Sequence, residues 1–133
     1  MKKLSMLIAL MCIIFIPAMQ VQAKDLGPDD IVAVWVDTTG NEIEIYKEGE
    51  KYFAKYIGVN DDSNKKVDDV VFEDCIFRGD DWKSTRYYDK EGKRHTCWIT
   101  FPDPNDKNKV KVRTRRWFLG GNKTTHWTKK DSN

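Results

Sequence analysis

Histidine and cysteine are scarce in this chain, and beyond its first residues no stretch carries a convincing helical apolar period. The 133 residues hold two histidines, His95 and His126, and three cysteines. That inventory gives poor support for a Cys/His metal site. His95 and Cys97 share one strand face, but about 6–7 Å of strand separates them, too far for a nucleophile–base hydrogen bond. The acidic segment NDDSNKKVDD at 60–69 lacks the glycine of a calcium loop, and Lys65 and Lys66 oppose a cation. No catalytic or cofactor signature remains, so neither an enzyme nor a cofactor is expected.

A long apolar run occurs only at the start. Lys2 and Lys3 precede the nearly unbroken apolar segment Leu4 to Ala18, and Val21 and Ala23 offer small residues at a cleavage site before Lys24. This pattern predicts a secretory signal peptide over 1–23. The run is shorter than the roughly 18–20 residues of a spanning helix. The expected product is one exported domain, 24–133, periplasmic or extracellular, with no membrane span after signal removal.

Removing Lys2 and Lys3 lowers the 23 basic residues to 21, equal to the 21 acids. A neutral exported domain is a poor partner for nucleic acid, and none is expected. The charge is nevertheless segregated. Residues 24–81 carry 7 Lys and Arg against 16 Asp and Glu, whereas 82–133 carry 14 against 5. Pairing of acidic early strands with basic late ones would absorb the asymmetry, and docking of an acidic partner would use it.

Short alternating runs rich in Val, Ile, Thr, Tyr and Trp recur between Gly, Asn and Asp clusters, the signature of antiparallel strands and hairpins. The expected strands are 31–37, 42–47, 51–59, 70–77, 82–89, 94–101, 109–118 and 123–130. The fold expected is all-β, an up-and-down meander of eight strands. Closure into a barrel removes its exposed edges, and an eight-stranded barrel can hold one small ligand. Cys75 and Cys97 fall on strands two apart, about 9–10 Å from each other, beyond the roughly 7 Å limit for a bridge. Export favours a disulfide all the same, so the bridge stays open.

Four features of the chain recur in a known family: Ile31-Val32-Ala33-Val34-Trp35 after the leader, Glu42-Ile43-Glu44-Ile45-Tyr46, the turn Tyr88-Asp89-Lys90-Glu91-Gly92-Lys93, and the closing His126-Trp127-Thr128-Lys129. The layout resembles domain-of-unknown-function family 2147, small exported bacterial proteins with a lipocalin-like, calycin-type barrel. Val34 stands where that family usually has Gly, and Trp82-Lys83-Ser84-Thr85 replaces its Gly-rich segment. The resemblance implies that Trp35 packs at a closed end beneath Lys129, with Trp127 in the same closing strand.

The remaining signals are aromatic and basic. Fifteen of the 110 residues after position 23 are Trp, Tyr or Phe. They fill a small core or line a pocket for an apolar ligand. In KVKVRTRRWF, strand alternation puts Lys109, Lys111, Arg113 and Arg115 on one face as an exposed basic stripe. Val110, Val112, Thr114, Arg116 and Phe118 share the inward face. An inward Arg needs a partner, so Arg116, with Trp98 and Phe118, is the candidate contact for a small lipophilic ligand, with Arg116 placed to anchor an acidic headgroup where the ligand carries one. The expected function is therefore non-enzymatic binding of a small apolar or amphipathic molecule. The alternative is an interaction module, such as an inhibitor-type barrel, docking an acidic protein or envelope polymer through the stripe.

Overall fold

The computed structural model describes residues 26–116 and 121–131. A short 3-10 helix, Pro28–Ile31, leads into eight strands: β1 (Ala33–Val36), β2 (Glu42–Glu48), β3 (Lys51–Gly58), β4 (Val70–Phe77), β5 (Trp82–Tyr88), β6 (Arg94–Thr100), β7 (Lys109–Arg116) and β8 (Gly121–Lys129). Each strand pairs antiparallel with its chain neighbour, and β8 returns to β1 to close the barrel. The closing pairs are Trp35 with Lys129 and Val36 with Thr128. Strand positions follow the expected runs closely. Among the described residues no helix is long and apolar enough to cross a membrane.

The first strand begins two residues later than its apolar run predicts. Pro28 suits a helical first turn because its missing N–H is unneeded there, and the Asp30 carboxylate accepts the Gly27 N–H at 2.8 Å. Ile31 thus becomes the buried end of a plug rather than the start of a strand. At the β2–β3 hairpin, Glu48 pairs with Lys51 across a two-residue turn. Gly49 takes a positive φ of 67° there, a conformation in which a Cβ would be strained.

One half of the barrel is filled. The plug lies across it, and two indoles hold it in place: Trp35 Nε1 donates to the Ile31 carbonyl and Trp82 Nε1 to the Pro28 carbonyl, each at 2.9 Å. The Tyr52 hydroxyl donates to Asp29 at 2.6 Å. Trp35, Phe72, Trp82, Cys75, Ile99 and Val110 fill the space above, all buried from solvent. Aromatic rings interlock through Trp82, whose centroid lies 4.8 Å from Phe77 and 5.7 Å from Phe101. Such rings bury large areas and prefer tilted, edge-on contacts.

Cys75 on β4 and Cys97 on β6 both enter this core as free thiols, with Ser84 of the intervening strand opposite Cys97. Burial pushes the Cys75 thiol up, and it pushes the Cys97 thiol up to about 12. A thiol is reactive as its thiolate, so neither should react with an alkylating reagent in the native protein. Both should label once the chain is unfolded. Labelling of the native protein at the unfolded rate, read by mass spectrometry, would contradict this placement.

Candidate functional site

The other half of the barrel is hollow. Its interior positions carry Tyr56, Tyr87, His95, Thr114 and Thr125 over a floor that includes Val112 and Trp127. These side chains are too few and too short to fill the lumen, and a cup of about 920 Å³ remains, open at its rim. That volume falls in the usual range for small-molecule pockets. Register explains the ring of polar groups. Tyr87 faces His95 across β5–β6, Val112 faces Thr125, and Thr114 faces Lys123 across β7–β8.

The rim is built by carboxylates that organise their own turns. Asp37 accepts the backbone N–H groups of Thr39 and Asn41, each at 2.9 Å. Buried Asn41 accepts the Asn60 N–H at 2.8 Å, tying the β1–β2 turn to the β3–β4 loop. Asp89 accepts the N–H groups of Glu91 and Lys93, each at 2.8 Å. Lys65 reaches across the mouth to donate to the Asp89 carbonyl at 2.9 Å. Its ammonium is held below the usual lysine range by burial, against the opposing pull of Asp69 and Asp89.

Inside the rim, His95 Nε2 lies 2.7 Å from Asp89 Oδ2. Partial burial opposes ionisation of Asp89, but the His95 contact and the Lys93 and Glu91 N–H groups outweigh it and hold the carboxyl below its usual value. An ionised carboxylate can only accept, so Nε2 carries the proton. His95 Nδ1 is then a buried atom without a hydrogen-bond partner among the described residues. Sequence reasoning missed this pair, whose partners lie either side of the Lys90–Lys93 turn. Its signal was a carboxylate and a histidine flanking a tight hairpin turn. Tyr56 is buried, and burial, followed by the charges of Asp37 and Asp69, pushes its hydroxyl up to about 12. Burial raises Tyr87 further, with Tyr56 the next cause. Both are neutral hydrogen-bond donors at physiological pH.

The expected site residues divide between several places. Lys129 Nζ stands 5.7 Å from the Trp35 ring centroid, directly across the closing strand pair. Trp127 is buried opposite Val110 and forms part of the cup floor. Trp98, expected beside the ligand, is on the outer face instead. Its neighbours Cys97 and Ile99 are both buried inside, and alternation turns the indole between them outward. Arg113 and Arg115 lie over that indole at 4.5 and 5.2 Å from its centroid. Lys109, Lys111, Arg113 and Arg115 share the outer face of β7, while Val110 and Val112 are buried. Of Arg116 the backbone alone is described, paired with Gly121. Phe118 and the segment 1–23 lie outside the described residues.

Chemically, the cup offers neutral phenols, hydroxyls, an oriented imidazole and a mixed-charge rim. His95 and Cys97 both face inward, but no hydrogen bond joins them among the described residues, and the thiol is fully buried. No group of three or more metal-binding side chains is assembled among the described residues. No family model, characterised protein or solved structure matches the chain.

Proposed function

We propose that this chain is an exported, non-enzymatic, lipocalin-like barrel that binds one small amphipathic molecule in its open cup, as a member or relative of family 2147. The observation that carries the reading is the division of the lumen. A plugged, solid half adjoins a cup of about 920 Å³ whose floor is apolar and whose wall is polar. A wholly apolar ligand would strand the hydroxyls of Tyr56 and Tyr87, and burying unpaired polar groups is costly. The polar end of the ligand therefore belongs at the wall and rim. Lys90, Lys93, Arg94 and Lys123 line that rim without an ion pair among the described residues. Asp37 and Asp89 are already committed to their turns, and the four cations outnumber the two other lining carboxylates, Asp62 and Glu91, which favours an acidic headgroup.

Decanoate should bind and change the fluorescence of Trp127 at the cup floor, and it should bind several-fold more tightly than decanol. Thr114→Trp with Thr125→Trp should fill the cup and abolish binding while the folded circular-dichroism spectrum persists. No binding of either amphiphile, together with no small molecule retained in the native mass spectrum, would remove the basis for this function. Equal affinity for the two probes would remove the acidic headgroup.

A further inference from the structure

A second feature lies outside the barrel and is independent of the cup. Cα pairs directly opposite each other share a face, so register defines the outer surface of β6, β7 and β8 residue by residue. Arg115 stands between Thr96 and Asn122, Arg113 between Trp98 and Thr124, Lys111 between Thr100 and His126, and Lys109 beside Thr128. No carboxylate occupies this three-stranded face. Lys83 of β5 extends it, opposite Trp98, with Nζ 5.9 Å from the indole centroid.

The charge segregation of the sequence therefore survives folding. Arg86, Lys107 and Lys130 reach acids of the first half, through Asp74, Asp30 and Glu42. Lys83, Lys109, Lys111, Arg113 and Arg115 make no ion pair among the described residues. Like charges in a row repel one another and weaken the fold. The row is also ordered. Arg113 and Arg115 lie over the Trp98 ring, a contact that restrains guanidinium groups and leaves their N–H donors available.

From this arrangement we infer that the outer face of β6–β8 is a docking surface for an extended phosphodiester polymer lying along β7. Cations two residues apart on a strand recur about every 6.6 Å, a spacing that a flexible chain of phosphates can stretch to meet. The flanking Thr and Asn side chains supply the second kind of donor. Phosphate oxygens accept from Lys and Arg and equally from Thr and Asn. The same composition disfavours a protein partner. A protein interface needs an apolar centre, and among the described residues the one large apolar side chain on this face, Trp98, lies under two guanidinium groups.

The test uses the folded full domain and fluorescent poly(glycerol phosphate), with uncharged dextran, poly-glutamate and anionic phospholipid vesicles as comparators. Binding to the phosphate polymer should weaken steeply with salt. Four contacts predict a log–log slope of about −3, by the value of roughly 0.7 per contact for flexible strands. Lys111→Glu with Arg113→Glu should weaken binding at least about tenfold and roughly halve that slope. Lys109→Glu with Lys111→Glu leaves the Trp98 stack intact and should act in the same direction, so a folding defect in the first variant cannot account for both. Thr114→Trp with Thr125→Trp, which fills the cup, should leave polymer binding unchanged. Equal binding of poly-glutamate, binding confined to the vesicles, or insensitivity to both charge reversals would each overturn the assignment.

Discussion

Replacing Trp82 with alanine is expected to cost about 3–5 kcal/mol of folding stability, the range for removing a buried aromatic side chain from a core. Trp82 is fully buried, its ring contacts Phe77 and Phe101, and its N–H holds the Pro28 carbonyl of the plug. The substitution thus opens a cavity and also strands a carbonyl at the sealed end. Trp82→Phe retains most of the apolar volume and loses the hydrogen bond, so it should cost nearer 1–2 kcal/mol. Urea unfolding followed by circular dichroism measures both. A loss under 1 kcal/mol for the alanine variant would mean that the plug contributes little to closing the barrel.

Alkaline pH should unfold the protein well before an ordinary domain's tyrosines would require it. Burial raises Tyr56 and Cys97 to about 12 and raises Tyr87 and Cys75 as well. In the unfolded chain these groups ionise near 10 for tyrosine and near 8.5 for cysteine. Above those values the unfolded state releases protons that the folded state keeps. Stability is therefore fully present below the unfolded values and falls as pH rises, by about 1.4 kcal/mol per pH unit for each group. Four such groups remove several kcal/mol by pH 11, comparable with the 5–15 kcal/mol that usually holds a domain together. Phenolate absorbance and circular dichroism should change together in one cooperative step. Tyr56→Phe should move that step to higher pH. Smooth ionisation of every tyrosine near pH 10 with the fold intact would refute the buried hydroxyls.

The strands were legible because their signals are local. In Glu42–Glu48 the alternation of Ile43 and Ile45 with charged neighbours states both the strand and its inward face, and Gly49 marks the turn. The basic row of β7 was legible for the same reason, since a period of two depends on nothing outside the strand. Ile31 was misread as strand because an apolar residue beside Val32 carries the same local signal in either setting. Its role as a plug depends on indole N–H groups from Trp35 and Trp82, the latter 54 positions away from the Pro28 carbonyl it holds. Aromatic content does not by itself place Trp98, whereas buried Cys97 and Ile99 on either side turn it to the outer face.

By itself the sequence determined the strand count, the meander order, the outward face of the Lys109–Arg115 row and the imbalance of charge between its halves. Each follows from residue spacing and composition, which the chain carries in every conformation. Only the tertiary structure decided that β8 meets β1 at Trp35 and Lys129 and that one half of the lumen is solid while the other is open. It also decided that Asp89 orients His95, and that the basic row finds no acids among the described residues. Those outcomes depend on side-chain volume and distance summed across strands that are remote in sequence. Sequence spacing within a single strand carries no information about them.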